Sequence, residues 1–115
     1  MKGIFIDVTK RQVTEVEIEK GLQPIYDLLG IDTFECVYID DKETIYVDEE
    51  GLYKEDKEWF FFEGTHQPLR GNGLILSTDD EGESISTNLS LEYVKSKVKF
   101  LNTMEVYLMS KQFSY

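Results

Sequence analysis

Four short runs in the first half of the chain alternate apolar and polar residues with a period of two, and polar turns of a few residues separate them. In "KGIFIDV", Ile4, Ile6 and Val8 alternate with Phe5 and Asp7, as a half-buried strand requires. "QVTEVEIE" follows the turn "TKRQ" and puts Thr14, Val16 and Ile18 on one face and Glu15, Glu17 and Glu19 on the other. "TFECVYID" and "ETIYVDEEG" flank "DDK" in the same way, with Asp48, Glu49, Glu50 and Gly51 as the exit turn. Strands this close in sequence pair as antiparallel hairpins, because a parallel pair needs a long crossover.

Two segments break the period. In "GLQPIYDLLGID", Leu22, Ile25, Leu28 and Leu29 fall at helical spacing, Pro24 sits in the first turn and Gly30 just past the end. "NLSLEYVKSKVKF" offers Asn88 or Ser90 as a cap, Glu92 in the first turn, and Lys95, Lys97 and Lys99 toward the negative end of a second helix. Between them "EWFFFEG" and "GLILST" read as further strands, with "THQPLRGN" joining them, Asn72-Gly73 as a turn and "DDEGES" as another. The predicted fold class is α+β: one domain over 1–115, a mostly antiparallel sheet of hairpins with two short helices. In "LNTMEVYLMSKQFSY", Met104, Val106 and Leu108 alternate with Glu105 and Tyr107, so 102–115 is expected as a C-terminal strand or dimerisation tail.

Charge limits function more than it identifies it. The chain carries a net charge of −11, and residues 32–63 hold 12 acids against 3 bases. Such a field opposes contact with phosphate backbones, so no direct nucleic-acid partner is expected. No apolar run reaches the roughly 20 residues of a membrane helix, no membrane partner is expected, and the N-terminus lacks a signal-peptide pattern. A cytoplasmic protein is expected.

Catalytic and metal chemistries find little support in the residues. Cys36 and His66 are the single cysteine and histidine, too few for a structural zinc site without added carboxylates. "DDKETIYVDEEG" and "DDEGES" fail the spacing of a calcium loop, and "LRGNGLIL" lacks the Lys-Ser/Thr of a phosphate loop. No cofactor, no metal and no catalytic residue are expected. The candidate interaction surface is therefore acidic: Glu15, Glu17 and Glu19 on one strand, and Asp48, Glu49, Glu50 and Asp56 after another. The candidate ligand loop is Thr65–Asn72 with nearby aromatics, comprising Trp59, Phe61, His66, Arg70 and Asn72 and suited to a nucleotide-like molecule.

The succession "MKGIFIDV", "VEIEKGLQPIYDLLG", "FECVYIDDKETIYVDEEGLYK", "QPLRGNGLIL" and "STDDEGESISTNLSLEYVKSKVKF" resembles a family of short proteins encoded by phages and mobile elements, domain-of-unknown-function family 3846. A strand followed by the acidic turn Asp48-Glu49-Glu50-Gly51 and then Leu52 carries most of the likeness. The stretch "YKEDKEWFFFEG" stands where many members have a Pro-x-Asn-Arg-like segment, and the tail after Leu101 lies outside the resemblance. The resemblance implies a mobile-element setting and no reaction. The expectation is a non-enzymatic accessory protein that binds a host protein, itself a nucleic-acid binder if the carboxylates mimic DNA, with a homodimer as a further expectation. The alternative is a protein that binds or sequesters a small nucleotide-like ligand.

Overall fold

A computed structural model describes residues 1–112. Nine strands and three α-helices follow one another as β1 (Lys2–Asp7), β2 (Gln12–Glu17), α1 (Leu22–Leu29), β3 (Phe34–Tyr38), β4 (Glu43–Asp48), β5 (Trp59–Phe62), β6 (Leu69–Arg70), β7 (Gly73–Thr78), β8 (Ser84–Ile85), α2 (Leu91–Lys97), β9 (Val98–Leu101) and α3 (Thr103–Gln112). A 3-10 turn, Gly51–Tyr53, lies between β4 and β5. The larger sheet runs β2-β1-β7-β4-β3, with β8 paired to the end of β7, and the smaller runs β6-β5-β9. Every pairing between these strands is antiparallel, and the fold is α+β.

The β1–β2, β3–β4 and β7–β8 turns are each built by an aspartate that accepts backbone hydrogen bonds. Asp7 Oδ1 accepts from the amides of Thr9 and Lys10, Asp40 Oδ1 from those of Lys42 and Glu43, and Asp79 Oδ1 from those of Glu81 and Glu83. Such side chains imitate a backbone turn. The two amide bonds to Asp40 favour its ionised form and hold its carboxyl below the ordinary carboxylate range.

The large sheet is covered on both faces, which explains why β4 and β7 are buried along nearly their whole length. On one face Ile4, Ile6, Ile45, Val47 and Ile75 meet Phe60, Phe62 and Leu69 of the small sheet and Val94 of α2. On the other, Tyr46, Leu74 and Leu76 meet Ile25 and Leu29 of α1. Gly30 ends α1 in the left-handed conformation at φ 66, as its place in the sequence predicts. Glu43 is buried where β4 begins; Thr87 Oγ1 donates to its Oε1, and the Asn88 amide donates to the same oxygen at 3.3 Å.

Two expectations are corrected. The second helix stops at Lys97, and Val98–Leu101 turn into a strand that supplies β5 with its second neighbour. β5 would otherwise present an open edge, and β-branched Val98 and aromatic Phe100 fit a pleated surface. The tail expected as a strand is a third helix; residues 113–115 of that expectation lie outside the described residues. The reason is a capping box, in which Asn102 Oδ1 accepts from the Glu105 amide at 2.8 Å and Glu105 Oε1 accepts from the Asn102 amide at 3.0 Å. The period-two reading of Met104–Leu108 missed this local signal. Asn102→Ala should cost α3 about 1 kcal/mol, read as faster amide exchange over 103–110 with the exchange of β1 and β7 unchanged.

Candidate binding surfaces

The acidic loop after β4 is built on buried anchors. Asp48 is itself buried: its Oδ1 accepts from the Glu50 amide at 2.9 Å, and its Oδ2 lies 2.5 Å from Lys54 Nζ. That hydrogen bond, reinforced by the negative charges of Asp48, Glu50 and Asp32, raises the Lys54 ammonium above its ordinary range. A Cβ on Gly51 would overlap the Arg70 carbonyl oxygen, so the chain there passes too close to β6 for any side chain.

Arg70 holds the rest of the loop. Its Nε donates to the Lys57 carbonyl at 2.8 Å, Nη2 to the Glu55 carbonyl at 2.8 Å and Nη1 to the Leu52 carbonyl at 3.5 Å. The guanidinium also lies over the Trp59 ring, 4.9 Å from its centroid. Above this framework Leu52 is 58% and Tyr53 85% exposed, with Glu49, Glu50, Glu55, Asp56 and Glu58 exposed around them. Of the acids named from the sequence, Glu49, Glu50 and Asp56 belong to this surface, while Asp48 lies beneath it as a structural anion.

Glu15 and Glu17 are exposed on β2, and Glu19 just after it, at the opposite edge of the large sheet from β3. They form a separate acidic row, and Glu17 lies 3.8 Å from the N-terminal ammonium. A third acidic site joins residues distant in sequence. The turns after β3 and β7 meet through the Thr78 amide, which donates to the Lys42 carbonyl, and bring Asp40 and Asp41 beside Asp79, Asp80, Glu81 and Glu83. Lys42 Nζ reaches Asp80 at 3.3 Å. Sequence reading missed this grouping, since only the pairing of β4 with β7 makes the two turns neighbours.

The residues of the predicted ligand loop separate into three places. Phe61 and His66 line a cavity of about 440 Å³ with Thr65, Gln67, Pro68 and Met109. Trp59 and Arg70 form the stacked pair under the acidic loop, and Trp59 Nε1 donates to Thr103 Oγ1 at 3.3 Å. Asn72 faces β1, its Oδ1 accepting from the Val8 amide at 2.9 Å. The turn at this point falls on Gly71, at φ 94, and Gly73 already belongs to β7.

His66 also lines a second cavity, of about 360 Å³, with Cys36 and Tyr38. Partial burial, then the adjacent Glu35 carboxylate, push the Cys36 thiol up, so it is protonated near neutral pH. Among the described residues no three His, Cys, Asp or Glu side chains converge as a metal site. No described helix is long and apolar enough to cross a membrane.

The family model described as Domain of unknown function (DUF3846) matches residues 1–99. The chain belongs to that family. Comparison with curated proteins and with solved structures gave no match. The DUF3846 match contains the acidic loop, its Arg70 anchor, His66 and the β2 glutamates, whereas α3 follows it. Thr103 and Val106 nonetheless attach α3 to the DUF3846 region, the first through Trp59 and the second by burial.

Proposed function

We propose that this protein is a non-enzymatic accessory protein of phage or mobile-element type, which acts by docking on the basic surface of a host protein that itself binds nucleic acid. One observation carries the reading: Leu52 and Tyr53 stand exposed on a turn whose backbone is held by Arg70 and by the Asp48–Lys54 pair, within a ring of carboxylates. Tyrosine is among the residues on which protein interfaces concentrate their binding energy, and the rim around such anchors is polar. A loop already fixed in place loses little entropy on binding. The carboxylates supply steering toward a basic partner.

The test is capture from a bacterial lysate at low and moderate salt, using the wild type, a Glu49→Gln/Glu50→Gln/Glu55→Gln/Asp56→Asn variant and Tyr53→Ala. Asp48 is left intact so that the loop keeps its anchor. A basic protein recovered by the wild type, depleted at moderate salt and lost in both variants is the expected outcome. Equal recovery by all three proteins would sink the proposed surface.

A second reading rests on the cavity shared by Phe61 and His66, whose volume of about 440 Å³ falls among those of small-molecule sites. On that reading the protein binds a nucleotide-like ligand by its flat base. Arg70 takes no part, since its donors are spent on carbonyls. A nucleotide panel in thermal unfolding checks it, with stabilisation of about 2.7 kcal/mol expected at a hundredfold excess over Kd. Loss of that response in Phe61→Ala would assign the cavity.

A further inference from the structure

The two edges of the large sheet are unlike. β2 closes one side with exposed Glu15 and Glu17, continued by Glu19, a row of like charges that opposes the approach of another strand. β3 closes the other with the sequence FECVY and a single acid, Glu35, and its Tyr38 is 69% exposed.

The hydrogen bonds at both ends of the β3–β4 ladder show which backbone groups are spent. The Glu49 amide donates to the Thr33 carbonyl at 3.3 Å, and the Ile39 amide donates to the Glu43 carbonyl at 2.9 Å. Both pairs keep the register that sets Phe34 against Asp48 and Tyr38 against Thr44. In an antiparallel ladder, residues turned toward the neighbour alternate with residues turned away. Thr33, Glu35, Val37 and Ile39 therefore face β4, and Phe34, Cys36 and Tyr38 direct their amides and carbonyls to the open edge.

We propose that a second copy of this chain pairs with that edge, β3 against β3, antiparallel about a two-fold axis through Cys36. The strand is self-complementary in this register. Cys36 meets Cys36 of the second copy, Phe34 meets Tyr38 in an aromatic cross-strand pair, and Glu35 meets Val37, so no strand carboxylate opposes itself. The large sheets of the two copies then run on as one. Beyond the strands the same register sets Asp32 against Asp40 of the second copy, both exposed. That repulsion is relieved by screening, so the dimer tightens as salt rises, opposite to the salt response of acidic docking on a basic partner. One five-residue strand per copy gives a small interface and a concentration-dependent dimer.

The experiment is sedimentation velocity on the full chain over a concentration series at low and high salt. Wild type should pass from one chain to two with concentration, at lower concentration in high salt. Tyr38→Glu adds a like charge diagonal to Asp32 of the second copy and should weaken the dimer by about tenfold or more. Cys36→Pro removes an amide that faces away from β4, which an edge strand tolerates, and should stay monomeric with cooperative unfolding kept. Glu15→Pro is the control on the other edge: the bonds exchanged between Met1 and Ile18 place the Glu15 amide outward on β2, and this variant should dimerise like wild type. A wild type that remains monomeric at the highest concentration in high salt overturns the proposal. So does a Tyr38→Glu protein that dimerises as readily as wild type, and that variant decides the matter if Cys36→Pro does not fold.

Discussion

Phe60→Ala is expected to lower the unfolding free energy by about 3–5 kcal/mol, measured by urea denaturation. Phe60 is fully buried in β5, at the centre of the contact between the two sheets. Its ring lies against the backbone of β7: a Cβ built on Gly73 would stand 2.8 Å from Phe60 Cζ and 3.1 Å from Ile45 Cγ2. The glycine is needed because the ring occupies the space of a side chain. Removing the ring leaves a void with no residue 73 side chain to relax into it, which places the cost in the upper part of the range. A Gly73→Ala/Phe60→Ala double variant should recover part of the loss, whereas Gly73→Ala alone should destabilise by overpacking, by about 1–3 kcal/mol. A loss below about 1 kcal/mol for Phe60→Ala would contradict this packing.

The second large effect is expected at Arg70. Arg70→Ala removes charge-assisted hydrogen bonds to the Glu55 and Lys57 carbonyls and the stacking on Trp59. The expected cost is about 2–3 kcal/mol, since bonds to charged groups each contribute about 1.5–3 kcal/mol and these act on one loop without adding fully. Amide exchange should show where the loss falls, with residues 52–58 losing protection while β1, β4 and β7 keep theirs. Arg70→Lys should restore little, because a single ammonium cannot reproduce the planar fork that reaches separate carbonyls. If the loop is the docking surface, Arg70→Ala also weakens capture of the partner with every loop carboxylate still in place. Undiminished capture would show that the ordered loop is not what the partner binds.

The legibility of the fold followed the range of the interactions. The β1–β2 and β3–β4 hairpins, α1 and the cap of α2 were all readable, because period-two patterning, aspartate turns, Gly30 and the Ser90 side chain bonded to the Tyr93 amide act over a few residues. The capping box of α3 was equally local and was obscured by the alternation of Met104, Val106 and Leu108. The site was less readable. Asp48, Glu49, Glu50 and Asp56 look alike in sequence, yet Asp48 is an internal ion-pair partner and the others are surface. Arg70 was legible as an isolated arginine beside aromatic residues, but its partners are backbone carbonyls, which leave no pattern in a sequence.

By itself the sequence determined an α+β chain of antiparallel hairpins, most of its turns, its first helix and the start of its second, its excess of negative charge and its family. Only the tertiary structure decided that β7 lies between β1 and β4, that β9 completes the small sheet, and that the turns at Asp40 and Asp79 form one acidic group. It also decided which carboxylates are buried, where Arg70 points and which strands form the edges of the large sheet. Local patterns record the conformational preference and solvent exposure of neighbours along the chain. Strand order and contacts between distant residues arise from minimising exposed apolar surface and unpaired backbone groups over the whole molecule, and those terms belong to no single stretch of it.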